Sequence, residues 1–180
     1  RRRHSFPTRR SSDLATGSGN GIGNFGTITL LQNEAGGVIN GGYAGIWNEA
    51  PIITLNNDGD ITGSFAGFIS GGAVDNLTNN GTISGDYTGL ANYFTITSLI
   101  NNGTISGAVD WVGLYNAGAI DALENRTSGV IDGALDGLWN EGTIASLDNA
   151  GTISGGTNGV LNYGTIDNLT NSGSISAASG

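Results

Sequence analysis

Carboxylates dominate the reactive side chains of this chain, with fifteen Asp and Glu against six Lys and Arg. Glycoside hydrolysis needs two carboxyl groups about 5–10 Å apart, one as acid and one as base or nucleophile. Asp121 with Glu124, and Asp132 with Asp136, are the pairs that short neighbouring strands bring closest. No pattern around either pair tunes one acid against the other, so both read as solvated carboxylates on an outward face. The single histidine, His4, sits in an N-terminal stretch unlike the rest of the chain, which leaves Ser-His-Asp and Cys-His chemistry without a base. No cysteine is present, so thiol nucleophiles, zinc thiolates and disulfides are excluded together. Stabilising an enolate would fall to Arg126, the one base beyond that stretch. The chain is therefore expected not to be an enzyme, with no catalytic, cofactor-binding or metal residues.

Calcium binding gains no support either. Neither a Gly-Gly-x-Gly-x-Asp nonapeptide nor an Asp-x-Asp-x-Asp-Gly loop occurs. Asp75, Asp121 and Asp167 share one repeat position, but in alternate copies, about twice the ~4.8 Å strand spacing apart.

Aromatic residues are the better candidates for contact. Trp47, Tyr115 and Trp139 each follow an inward apolar residue directly, so they should point outward as contacts for a glycan or a protein surface. Another column, Tyr43, Phe65, Tyr87, Trp111, Leu135 and Thr157, reads as ring stacking in a turn.

The elements that must hold these residues come from one motif written seven times. It opens at Gly21-Ile22, Gly45-Ile46, Gly67-Phe68, Gly89-Leu90, Gly113-Leu114, Gly137-Leu138 and Gly159-Val160, at intervals of 24, 22, 22, 24, 24 and 22 residues. A period in the twenties signals a solenoid. Six columns stay constant within each copy, as in Val160, Asn162, Ile166, Leu169, Asn171 and Ile175. None of these positions holds a charge in any copy, and all are Ile, Leu, Val, Phe or Asn except Ser70. Such columns face inward.

Apolar-x-Asn and Leu-x-Asn are period-2 steps, which put both residues on one face of a strand and not of a helix. Thirty-three glycines and many Thr-Ile pairs suit short strands joined by turns, where Gly and Asn tolerate positive φ. The expectation is an all-β fold: a right-handed parallel β-helix (β-solenoid) of about seven coils of 22–24 residues, with three short strands each. Strict six-residue units, the mark of left-handed β-helices, are missing. Seven coils at ~4.8 Å would make a rod about 34 Å long. The two extra residues of each longer copy fall between inward columns, at 33–39, 105–114 and 125–131, and keep the pleat in phase.

The Asn columns form two files, broken at Ser70, whose stacked amides should hydrogen-bond along the axis. The Asn-x-Thr sequons are by-products of the repeat. Outward pairs such as Thr82/Ser84, Thr104/Ser106 and Thr152/Ser154 resemble an ice-binding array, but Asp60, Val130 and Asp132 interrupt it.

Residues 1–14 share nothing with the repeat, and residues 15–20 read as a linker to the solenoid at 21–180. His4 to Leu14 resembles the translated reading frame of a short-read sequencing adapter, which implies a non-native tail and a natural N-terminus not represented here. Beyond it one base, Arg126, faces fourteen acids, a net charge of −13. That surface repels phosphate backbones and anionic lipid, so neither nucleic acid nor direct membrane insertion is expected of this segment. No run approaches the ~18 apolar residues of a membrane-spanning helix.

The tandem Gly-φ-x-Asn-x-Gly-Thr-Ile-x-x-Leu-x-Asn-x-Gly-Thr-Ile-Ser-Gly units, clearest over Gly137–Gly155 and Gly159–Ile175, resemble the passenger-domain repeats of bacterial autotransporters. The resemblance spans residues 21–180. It implies a fragment of a longer passenger domain, an upstream signal peptide, and membrane attachment through a C-terminal outer-membrane barrel absent from this sequence. It also implies a location at the bacterial cell surface or outer membrane, or secretion. The expected function is a structural and adhesive stalk acting by self-association or by contact with a host protein or glycan. A fragment of a carbohydrate-active β-helix enzyme is the alternative, and it would need acids gathered in a groove.

Overall fold

The computed structural model describes residues 19–178; the expected tail at 1–14 and most of the 15–20 linker lie outside the described residues. Twenty-one strands follow one another with no helix among the described residues. Every third strand joins the same sheet, which makes three parallel seven-stranded sheets. The first sheet runs from Ile22–Asn24 to Asn158–Asn162, the second from Ile28–Asn33 to Thr165–Asn171, and the third from Val38–Gly41 to Ser174–Ala177. Each coil gives one strand to each sheet, so the chain is a parallel β-solenoid of seven stacked coils.

Identical columns pair because only in that register does every coil bury its apolar set. Leu90 pairs with Leu114, Leu99 with Leu123, and Ile105 with Ile131 across the loop inserted at 126–130. Ile46, Leu55, Leu77, Leu90, Leu99 and Leu147 lose all solvent contact. Each such side chain contributes roughly 1.5–3 kcal/mol of burial. Inward residues of the first and last coils, such as Ile22 and Leu169, have a neighbouring coil on one side only and are less covered.

Two local features depart from a simple alternation. In the second sheet the inward residues Ile96 and Leu99 stand three apart, and the pairing with the next coil passes over Thr97 and Asp121. The same position is passed over in the other coils, as at Asp75, so each second-sheet strand bends there. The other departure concerns glycine. Among the described residues, positive φ occurs only at Gly36 (79°) and Asp110 (48°), both inside inserted loops. Most repeat glycines serve close approach instead: a β-carbon on Gly45 would lie 2.7 Å from the carbonyl oxygen of Gly67 in the next coil. Stacking at strand spacing brings backbone against backbone at the coil corners, where only hydrogen fits.

The asparagine ladders form as the spacing requires. In the second sheet the file is unbroken from Asn33 to Asn171, each Nδ2 donating to the next Oδ1 at 2.7–2.9 Å. The remaining amide hydrogen goes to a backbone carbonyl, as from Asn79 to Thr104 at 3.0 Å. In the first sheet Ser70 divides the file. Asn48 turns to the Gly72 carbonyl at 3.3 Å, and the ladder resumes at Asn92 with a 2.8 Å bond to Asn116. The coil carrying the small Ser70 also carries Phe68, the bulkiest opening residue, fully buried two positions away. The larger ring and the smaller polar group offset one another in volume.

Candidate surface-contact face

The first sheet has an inward side set by its opening apolar residues and asparagines, so the residue between them must emerge on the outer side. That column holds Trp47, Ile69, Ala91, Tyr115, Trp139 and Leu161. The residues just before and just after these strands flank it, and among them stand Tyr43, Phe65, Tyr87 and Trp111 on one side and Phe25, Tyr93 and Tyr163 on the other. All three tryptophans and all five tyrosines of the chain therefore lie in or directly beside the first sheet.

The rings meet in two groups. In the first, Tyr43 stacks on Phe65 (5.0 Å, 3°), Phe65 tilts against Tyr87 (5.7 Å), and Tyr43 meets Trp47 (5.6 Å, 38°). Ala44, Ala66 and Ile69 are buried beneath these rings as a small apolar cluster outside the main core. In the second group, Tyr93, Tyr115, Trp139 and Tyr163 follow one another along the axis at 5.7, 6.0 and 6.3 Å. Trp111 leaves the turn file and joins Trp139 at 5.6 Å and 35°. The inserted loop ahead of it, with Asp110 in the left-handed region, re-aims that ring. The stacking expected of the turn column thus holds for Tyr43, Phe65 and Tyr87, while Trp111 belongs to the outer face.

Trp47, Tyr115 and Trp139 sit on this outer face, each partly buried by its neighbouring rings. The more open rings are Phe25, Tyr87, Tyr93, Trp111 and Tyr163. Sequence assigns Trp111 to the turn column and does not single out Tyr93 and Tyr163, although their position directly after Asn92 and Asn162 marks those two as a column of their own.

Every acid in or directly beside a first-sheet strand is engaged. Glu49 accepts the Trp47 indole N–H at 2.5 Å, Glu141 accepts the Tyr115 hydroxyl at 2.5 Å, and Asp136, 1% exposed, accepts the Asn158 amide at 2.7 Å. Two buried side-chain polar atoms have no partner among the described residues: Asn20 Oδ1 and Trp139 Nε1. Asn20, Phe25, Tyr43, Trp47 and Glu49 enclose an open cleft of about 460 Å³.

The phenol of Tyr115 is pushed up to about 12 from its ordinary 10.0, first by burial, then by its hydrogen bond to Glu141 and that carboxylate's charge, with Tyr93 adding to it. Because the folded value exceeds the unfolded one, the protonated phenol stabilises the fold fully below pH 10 and loses that contribution as pH climbs towards 12. Ultraviolet titration should show a late tyrosinate wave near pH 12 that Tyr115→Phe removes and Glu141→Gln moves down. An unchanged wave in Glu141→Gln would mean the bond does not form in solution.

The paired acids considered for hydrolysis have these places and partners. Glu124 holds Arg126 at 3.1 Å and Asp121 occupies the bend of the same second-sheet strand. Asp132 lies on the third sheet, bonded by Ser154, while Asp136 opens a first-sheet strand. No group of three or more His, Cys, Asp or Glu is placed to hold a metal ion among the described residues. The hydroxyl rows of the third sheet are in register, Thr82 with Thr104 and Ser84 with Ser106, and then meet Val130 and Asp132. No family model matches the chain, and no curated protein or solved structure proves similar to it.

Proposed function

We propose that this solenoid is part of a structural and adhesive stalk, a rod of the kind displayed by bacterial autotransporters at the cell surface or released from it. It acts by self-association or by contact with a host protein or glycan. The observation that carries this reading is the gathering of every tryptophan and tyrosine on one sheet of a rod whose other two sheets bear most of the acids. Contiguous aromatic surface on an otherwise charged protein marks a place of contact. The acids on that sheet are already hydrogen-bonded, which lowers the cost of covering it.

Cells displaying the rod with Trp47, Tyr115 and Trp139 all changed to Ser should aggregate several-fold more slowly than cells displaying the parent, at equal surface amounts. Unchanged aggregation would remove these residues from the contact. Salt separates partners: two rods of net charge −13 repel, so self-association quickens as ionic strength rises, whereas adhesion to a basic protein weakens.

A further inference from the structure

We infer that the two Trp-Asn-Glu corners, Trp47–Glu49 and Trp139–Glu141, are like-built subsites for uncharged sugar residues of a glycan. This rests on the adhesive reading only in using the same face.

The tripeptide occurs at the same repeat position in two coils. Its central asparagine, Asn48 or Asn140, is fully buried in the ladder, so the flanking Trp and Glu emerge together on the outer side. Each tryptophan then meets a second ring at a similar distance and tilt, Tyr43 of the same coil at 5.6 Å and 38° from Trp47, and Trp111 of the preceding coil at 5.6 Å and 35° from Trp139. A pair of tilted rings offers a negative π-face to the positive C–H edge of a pyranose. Beside each platform a carboxylate is held in place by a ring hydrogen bond, Glu49 from Trp47 and Glu141 from Tyr115, leaving its second oxygen free to accept from a hydroxyl.

Each corner also carries one of the two buried side-chain polar atoms without a partner among the described residues, an acceptor at Asn20 Oδ1 and a donor at Trp139 Nε1. Leaving such an atom unsatisfied costs about 1–3 kcal/mol. The first corner is a shallow depression, open to solvent and lined by Asn20, Phe25, Tyr43, Trp47 and Glu49. Charge decides which sugars fit. The sites hold carboxylates, and the only base among the described residues, Arg126, is on the second sheet side, paired with Glu124. Uronic acids, sialic acids and sulfated sugars therefore meet repulsion with nothing to neutralise them. The corners stand four coils apart, about 19 Å at ~4.8 Å per coil, a span that one long oligosaccharide bridges.

The test is calorimetric titration of the purified rod with neutral glucan, galactan and mannan oligomers, short and long, each beside its carboxylated or sulfated counterpart. At least one neutral series should bind, with two short oligomers per rod, and its anionic counterpart should not. Trp47→Ser or Trp139→Ser should reduce that stoichiometry to one and weaken long oligomers by about tenfold or more through lost bivalency. Glu49→Gln, which keeps shape and removes charge, should narrow the preference for neutral over anionic ligand. The inference is overturned by a panel without neutral binding, by equal binding of anionic sugars, or by unaltered stoichiometry in both tryptophan variants. If neutral sugars fail to bind while the triple Ser variant still suppresses aggregation, the subsites fall and the adhesive stalk stands. Sugar binding that the triple Ser variant loses while its aggregation stays unchanged overturns the stalk reading instead.

Discussion

Leu147→Asp should lower the stability of the rod by about 4–5 kcal/mol, among the largest effects open to a single substitution. Leu147 has no solvent contact and is stacked between Leu123 and Leu169 in the apolar column of the second sheet. The exchange removes a buried isobutyl group and inserts a carboxyl with no base or free donor provided by that column. Either the acid stays ionised in apolar surroundings, or it protonates and still lacks a partner. A solenoid distributes such damage by position, because each coil touches only its neighbours. The same change at Leu99, paired with Leu77 and Leu123 in the middle of the stack, should cost more, since it parts the rod into two short halves where Leu147→Asp detaches only the last coil. Leu147→Met, which conserves volume, should cost less than about 1.5 kcal/mol. Urea unfolding measures all three, and a loss below about 1 kcal/mol for Leu147→Asp would put that residue outside the core.

Asn101→Ala is expected to cost about 2–4 kcal/mol by leaving three partners unpaired, two of them fully buried. Asn101 is fully buried in the uninterrupted ladder, accepting from Asn79 at 2.8 Å and donating to Asn125 at 2.9 Å and to the Val130 carbonyl at 3.1 Å. Alanine strands one amide hydrogen of Asn79, the Oδ1 of Asn125 and that carbonyl. The first sheet contains a natural comparison. At Ser70 the ladder stops, yet Asn48 finds the Gly72 carbonyl, Ser70 donates to the same oxygen at 2.9 Å, and the Phe94 N–H reaches Asn92 Oδ1 at 3.4 Å. Ser70 also has Phe68 beside it to occupy the vacated space. The second-sheet column offers Leu99 at the equivalent place, so Asn101→Ser should recover only part of the loss. Proton exchange of the Asn79 side-chain amide gives the direct readout: it should accelerate in Asn101→Ala, and protection equal to the parent would show that the ladder bond contributes nothing.

Much of the fold is visible in the chain itself because the same instruction is repeated. A column such as Leu31, Leu55, Leu77, Leu99, Leu123 and Leu147 is apolar in every copy, and a step of one residue would carry it to the solvent side. Register is therefore over-determined, and the pairing of Asn101 with Asn125 follows from it. The extra residues between Asn33 and Ile39 and between Asn125 and Ile131 fall in loops for the same reason. Glycine was misread in mechanism. Its abundance suggested left-handed turns, whereas Gly45 and its equivalents are required by the backbone of the next coil, a distance that exists only after stacking. The three-residue step from Ile96 to Leu99 was legible as a spacing, but the bend it produces was not.

The candidate site divides along the same line. Sequence placed Trp47, Tyr115 and Trp139 on the outer side, because alternation along one strand settles which face a residue takes. It left the turn column and the outer column as separate matters. Their union, with Trp111 against Trp139 and Glu141 bonded to Tyr115 of the preceding coil, depends on how far each coil is displaced over the last and on the turn at Asp110. What the sequence determined alone was everything carried by a repeated local pattern: three strands to a coil, the inward columns, the asparagine files and an acid-rich exterior. What tertiary structure decided was which outward side chains of different coils touch, because a one-dimensional period specifies the face of a residue but not the angle at which two corners meet.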